Sequence, residues 1–466
     1  MGVTAELSAF VAGLRADALP PAVVERTRLL VLDLVGNAVR ARHDAESTPS
    51  LLRAVEALGL ASGPARVFAD PRGYAPAGAA LVNAVLGHSL DFDDTHAEAV
   101  LHPGAPVIPA ALAAAEMAGA SGADALAGIV AGYEVALRLA LALPAGAHYD
   151  RGFHPSATCG AFGAAAAAAR VFGLDAAGVA SALGIALSQA AGSLQFLANG
   201  AWTKRFQVGW AGFAGLTAAT LAREGFKGAA EPVEGRHGFL RSYAPDPDPG
   251  RVCGDLGSAF ELMATGVKPY PSCRWGHAGI DAALALRAEL GLRPDEIESA
   301  VLGVSRAGAL LVGEPAARKA DPRNVVDGQF SGPFVIAVAL STGRMDWDSY
   351  RLLDDPAIRA LLPRVTVEVD PEAEAEFPAN MAGKLTLRAR GGVFTRMVAV
   401  PRGEPANFPD AAAFRAKFAG LTRAVLGEAA ADVLAADVLR LDALPEAAIL
   451  LRGAPEPRGA QKRAAA

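Results

Sequence analysis

The segment Asp91-Phe92-Asp93-Asp94-Thr95-His96, followed shortly by His102-Pro103-Gly104, carries three carboxylates, a hydroxyl and two imidazoles. A carboxylate near an imidazole can orient the ring and stabilise its charged form, which is what moving a proton at neutral pH requires. The flanks, residues 81–90 and 107–117, are rich in Ala, Leu and Val and predict buried helices. Charges set between apolar helices need a reason. Proton chemistry is one; the other is capping, with Asp94 or Thr95 closing one helix and opening the next.

Similar residues recur at other turns. His154-Pro155-Ser156 repeats the His-Pro pattern of His102-Pro103. The residue before a proline favours extended backbone, so each imidazole is expected just outside a helix start, where free N–H groups attract anions. Lys204-Arg205 follow Thr203 and precede the aromatic-rich stretch 206–213, where an unpaired ammonium would be costly to bury. Lys268 and Arg274 bracket Pro269-Tyr270-Pro271-Ser272-Cys273, and the prolines exclude a regular helix there. That segment is either a solvated linker or a stiff arm aiming cations into a domain cleft. Arg274 would offer a planar fork to a carboxylate, and Lys204 and Lys268 compact charges.

The elements that must position these groups change character along the chain. Residues 20 to about 230 predict helix almost throughout. Pro20-Pro21 suit a first turn, and Val23, Val24, Leu30, Val31, Leu34 and Val35 give an apolar stripe ending near Gly36. Segments 123–143, 157–172 and 176–191 are so rich in Ala and Gly that their helices can approach closely. No period of about 20 to 50 residues suggests a solenoid. After Thr265, residues 300–304 and 365–369 predict strands, and residues 384–390 and 393–400 alternate around Gly391-Gly392, a hairpin with both glycines in the turn. Helical patterns at 279–290 and 333–340 make this region α+β, and residues 410–439 are helical again. The expected fold is mainly α: a large all-helical domain (1–264, returning at 405–454), an inserted smaller α+β lid domain (265–404) and a disordered tail (455–466).

Composition bounds the rest. At 466 residues, two domains are expected. With 52% hydrophobic and 20% charged residues the chain has material for a large core. A net charge of −6 without clustered Lys and Arg argues against nucleic acid as a partner. The N-terminus shows no basic region followed by an apolar run, and Glu6 stands where a myristoylation site needs Ser or Thr. The apolar windows are broken by Glu134, Arg138, Pro144, Arg170 or Gln189 and read as core helices, so no membrane partner and a cytoplasmic location are expected. Cys159, Cys253 and Cys273 form neither a disulfide framework nor a C-x-x-C pair, and no metal or other cofactor is expected.

Five motifs in order, His88-Ser-Leu-Asp-Phe-Asp-Asp-Thr95, His102-Pro-Gly, Gly152-Phe-His-Pro-Ser156, Thr203-Lys-Arg205 and Lys268-Pro-Tyr-Pro-Ser-Cys-Arg274 with His277, resemble those of the MmgE/PrpD family. The resemblance runs from about Val24 to near Val400. It implies a helical domain with a lid, a homodimer, and a cofactor-independent lyase acting on a di- or tricarboxylate. It also implies that Asp91, Thr95, His102, His154, Lys204 and Lys268 line the active site. Two positions depart from the family pattern: Phe334 stands where an active-site tyrosine is expected, and Gln207 where His is frequent. The interval from Thr95 to His102 is similar to bacterial members of unassigned substrate rather than to the animal decarboxylases.

The implied roles are proton transfer by His102 and His154, enolate and carboxylate stabilisation by Lys204 and Lys268, and orientation of an imidazole by Asp91. Thr95, Arg274, His277, Gln207 and Phe334 are expected at substrate. Dehydration of a 2-methylcitrate-like acid is the leading expectation. Decarboxylation of a cis-aconitate-like acid, epimerisation of a related dicarboxylate, and silent carboxylate binding are the alternatives.

Overall fold

The computed structural model describes residues 2–452; the tail expected to be disordered, 455–466, lies outside them. The chain is mostly helical, with 61% helix against 10% strand. It divides into two compact units, Met1–Gly266 with Asp410–Ala466, and Val267–Pro409.

In the first unit the long helix α1, Pro21–Asp44, starts on Pro21 as the first helical residue. It does not stop near Gly36. Residues 37–41 continue the buried face, so ending the helix there would have left enclosed backbone without hydrogen bonds. The expectation of an all-helical unit is also corrected. Strands β1, Ala65–Val67, and β2, Asp70–Tyr74, form an antiparallel hairpin. Pro71 and Gly73 disfavour helix here, Ala69 turns with φ 55°, and buried Asp70 accepts from Tyr74 Oη at 2.8 Å.

Further helices of this unit are α2 (Pro76–His88), α3 (Gly104–Ala118), α4 (Gly122–Leu141), α5 (Pro155–Val171), α6 (Ala176–Leu187) and α7 (Thr203–Arg223). Helix α5 packs against α3, α4, α6 and α7, and residues 155–169 are all buried. A helix enclosed on every side has no room for bulk, which accounts for the run Ala164 to Ala169. The approach to α4 is close: a Cβ on Gly132 or on Gly163 would sit 2.7 Å from the other's carbonyl oxygen. Strands β3, Thr95–His96, and β4, Thr265–Gly266, make a short antiparallel ladder. No helix among the described residues is long and apolar enough to cross a membrane.

The second unit holds a four-stranded sheet in the order β6-β5-β7-β8, formed by β5 (Ile297–Val304), β6 (Val365–Val369), β7 (Gly383–Ala389) and β8 (Gly392–Val398). Only the β5–β6 pair is parallel. Helices α8, His277–Leu290, and α9, Gly332–Thr342, contribute Ile280, Phe334 and Ile336 to a core shared with Leu302, Val304, Leu385 and Leu387. The hairpin turn lies one residue earlier than expected. Arg390 (φ 51°) and Gly391 (φ 69°) are its positive-φ residues, because Gly392 is already paired with Ala389. The chain then returns to the first unit through α10, Ala411–Leu426, which packs on α1, and α11, Glu428–Leu439, with Gly427 between them at φ 82°.

Candidate active site

The segment between α2 and α3 leaves α2 at His88 and turns at Asp91, a non-glycine residue at φ 52°. Asp is among the few L-residues that tolerate this left-handed region. The next carbonyl, of Phe92, is fixed from behind: Asn37 Nδ2 donates to it at 3.1 Å and Lys417 Nζ at 2.7 Å. Lys417 also bonds Asp33 at 2.6 Å and lies 3.6 Å from the Phe92 ring centroid. Helices α1 and α10 thus brace the loop that carries the carboxylates.

Each carboxylate then takes a different role. Asp91 Oδ1 accepts from Lys204 Nζ on α7 at 2.7 Å. Asp93 is fully buried, with Oδ2 2.7 Å from His88 Nδ1 and 3.3 Å from His102 Nδ1. Asp94 is the capping residue foreseen as the alternative to chemistry, acting across the loop: Oδ1 accepts from the Gly104 N–H at the start of α3, and Oδ2 accepts from Tyr133 Oη at 2.6 Å. Gly104 has to be glycine, since a Cβ there would lie 2.5 Å from Tyr133 Oη and 2.9 Å from Asp94 Oδ1.

The imidazoles come from the positions the His-Pro pattern indicated. His154 is the N-cap residue of α5 in extended conformation, and His102 precedes α3 by two residues. The two turns are tied together, because the His102 N–H donates to Ser156 Oγ in the first turn of α5 at 3.0 Å. The Gln207 amide is pinned by Nε2 donating to Ser193 O at 2.8 Å, so its Oε1 accepts from His154 Nδ1 at 3.0 Å. His88 and His102 meet edge-to-face, 4.5 Å between centroids.

Burial sets the protonation states. It pushes His102 down to about 4 against the opposing pull of Asp93. His154 is driven well below its ordinary value by burial and then by His88, Lys204 and His102. Burial also works against the Lys204 ammonium, but Asp91 outweighs it and the group is raised. Asp93 is buried, which alone would raise it, yet His88 and His102 hold it well below the carboxylate range. Asp94 is pushed up to about 8, chiefly by burial. The arrangement is two neutral imidazoles, one paired ammonium and a buried anion, equipment for moving a proton beside an anionic ligand.

Of the residues expected at the site, the first unit brings Asp91, His102, His154, Lys204 and Gln207 together. Thr95 is buried in β3 beside Asp94. His88 and Asp93 were quoted within a motif but given no role. His88 and Asp93 are five residues apart, and only the helix end after His88 turns the chain so that they meet. His88, Asp93 and His102 offer three ligand atoms within 4.8 Å of one another, so a metal-binding geometry arises where none was expected.

The second unit holds the other four. Lys268 is 4% exposed and Tyr270 3%, so the solvated-linker reading is excluded. Arg274 is paired with Glu404. His277 bonds Ser272 O at 3.2 Å and meets the Tyr270 ring edge-to-face. Phe334 corrects its expected place at substrate: it has no exposed surface and stacks on Tyr350 in the core, 5.8 Å between centroids.

Comparison with known proteins agrees with the motifs. The MmgE/PrpD N-terminal domain matches residues 5–251 and the MmgE/PrpD C-terminal domain residues 270–442. Similar proteins include the cis-aconitate decarboxylase of Aspergillus terreus, 28% identical over 97% of this chain and 95% of that protein. The cis-aconitate decarboxylase-like protein oryM of Aspergillus oryzae is 28% identical over 86% of each chain, and the cis-aconitate decarboxylase of Mus musculus 28% over 80% of this chain and 77% of that protein. The two domain matches together cover most of the molecule, and the chain belongs to the MmgE/PrpD family.

Proposed function

We propose that this protein is a lyase acting on an unsaturated tricarboxylate of the cis-aconitate type, and that it removes carbon dioxide. The observation that carries the reading is the convergence of two neutral imidazoles with the Lys204–Asp91 pair, in a chain whose relatives include cis-aconitate decarboxylases. The bond to the departing carboxylate breaks, and its electron pair moves through the allylic system toward a retained carboxylate. Lys204 stabilises that charge, and a histidine-borne proton from solvent forms the new carbon–hydrogen bond. Lys268 is proposed as a second cation, Thr95 as a hydrogen-bonding group, and residues Val267–Pro409 as a lid.

Dehydration of a 2-methylcitrate-like acid remains the second reading. The same imidazoles supply the base it needs, and it additionally requires an acid for the leaving hydroxyl. The two separate cleanly in one experiment. Incubation with cis-aconitate, 2-methylcitrate and citrate in D₂O should release carbon dioxide from cis-aconitate and place one solvent deuterium on carbon. A new double-bond absorbance from 2-methylcitrate without carbon dioxide would replace this reading with dehydration.

The proposal extends to a homodimer. Trp202, Phe206 and Trp210, at 44%, 47% and 36% exposure, recur every four residues along the start of α7 and leave an apolar stripe open, the kind of patch that marks an interface.

A further inference from the structure

We infer that the first unit holds a second, separate binding site: a cleft lined by Arg42, Arg53 and Arg72 that takes a small multivalent oxyanion, a phosphate ester or a polycarboxylate. The inference is independent of the reaction proposed above.

The cleft encloses about 370 Å³ between the end of α1, the helix Thr48–Ala57 and strand β2, a volume within the range of small-molecule sites. Arg42 and Arg72 are set in place from behind by Asp70, whose side chain has no exposed surface. Arg42 donates from Nε to Asp70 Oδ2 at 2.9 Å. Arg72 donates from Nε to Oδ1 at 3.0 Å and from Nη2 to Oδ2 at 2.8 Å. Burial alone would raise Asp70, but Arg72 and Arg42 hold it well below the carboxylate range, so the carboxylate stays charged and keeps both guanidiniums in position.

This is more cation than the buried anion needs. The Arg72 guanidinium and backbone N–H and the Tyr74 hydroxyl already donate to both oxygens of Asp70, and one guanidinium balances one carboxylate. Arg42 is therefore surplus charge, and it is held through Nε: its two Nη groups, like Nη1 of Arg72, have no hydrogen-bond partner among the described residues. Arg53, on the helix wall, donates to Ser50 Oγ at 3.2 Å and pairs with no carboxylate among the described residues. Guanidinium forks with free edges, bordering one cavity, match the oxygens of phosphate or carboxylate groups. Leu52 and Pro49 add apolar wall for the body of an organic anion, and His43 adds a further polar group. Glu56 is the acidic residue among those lining the cleft and opposes an anion there.

The cleft shares none of its lining residues with the candidate active site, yet a hydrogen bond joins their elements. Ser47 Oγ, beside Thr48 in the cleft wall, accepts from Arg205 Nη1 at 3.2 Å, and Arg205 follows Lys204 on α7.

The test is calorimetric titration of the full chain at low salt with inorganic pyrophosphate and, separately, with citrate. Because citrate also suits the candidate active site, each anion is titrated into Lys204→Ala as well. Expected is a site with a Kd of about 1 mM or tighter that persists in Lys204→Ala. Arg42→Gln should weaken it about tenfold or more, the worth of a charged hydrogen bond, and Arg53→Gln about threefold. Glu56→Gln should tighten binding about twofold to threefold, a gain that a damaged fold would not give. Should Arg42→Gln not fold, Arg53→Gln and Glu56→Gln, both at exposed positions, read the same cleft with opposite signs. Tighter binding of pyrophosphate marks a phosphate ester as the ligand class, and tighter binding of citrate a polycarboxylate. Absence of binding by both anions, or affinities in Lys204→Ala that the cleft substitutions leave unchanged, would overturn the site. Failure of the proposed reaction would leave these affinities untouched, so the two readings fall separately.

Discussion

Asp93, buried in the first unit, and Arg274, partly buried in the second, both carry charge, but their partners differ in kind. Arg274 is matched by Glu404, a fixed counter-charge, with 11% and 15% of the two side chains exposed. Asp93 is matched by two imidazoles, groups whose charge depends on a bound proton, and one of its oxygens has no hydrogen-bond partner among the described residues. A pair of permanent charges holds a structure in one state. A carboxylate between two titratable rings can exist in more than one protonation state without moving its backbone. The first arrangement suits a fixed scaffold, the second a site that works by changing charge.

The contrast is broken most forcefully at the imidazoles. His102→Gln and His154→Gln should each lower kcat by about 10² to 10⁴, the range for loss of general acid–base catalysis, with a smaller effect on KM. The double variant should lose less than the product of the two, since both act in one step. Near-parental kinetics from both variants would remove proton transfer from this cluster.

Cations sharpen it next. Lys204→Ala should lower kcat/KM about tenfold to hundredfold, the worth of one charged hydrogen bond to the charge developing on a carboxylate. Arg274→Gln should act on stability instead, lowering the denaturation midpoint with KM little changed, because a partly buried pair loses one partner. A raised KM with unchanged stability would return Arg274 to the substrate, where its fork was first expected.

The smallest effect concerns Asp94. Its pKa of about 8 lies above the value of about 3.9 for an unfolded Asp, so the native state holds a proton that the unfolded chain releases. Its contribution to stability is therefore complete below the unfolded value and declines as pH rises toward the folded one. Asp94→Asn keeps an acceptor for Gly104 N–H and offers Tyr133 Oη a donor, so denaturant unfolding of this variant should show a flatter loss of stability between pH 5 and about 8. An unchanged slope would mean that Asp94 is ionised in the folded protein.

Much of the fold was legible because it rests on local signals. Pro21 and Pro155 mark helix starts, the Ala-rich segments became close-packed helices, and residues 365–369 became β6 with the boundaries their alternation indicated. What misled was also local. Gly36 resembles a stop, but neighbours distant in sequence bury the residues that follow it. Gly391-Gly392 resembles a turn, but strand register shifted the turn onto Arg390.

The site divides along the same line. The sequence by itself determined which chemistries were available: acids and imidazoles at loop ends, cations on a helix start and a proline-stiffened segment. Short-range rules suffice for that, since they fix where a helix begins and which residues precede it. Tertiary structure alone decided which acid serves which partner. Asp91, Asp93 and Asp94 are near neighbours in sequence and of similar chemical type, yet one pairs with a lysine, one lies between two histidines and one caps a helix. Their directions are set by α1, α4, α7 and α10, elements separated by long stretches of chain, and burial among those elements rather than residue type assigns each carboxylate its charge.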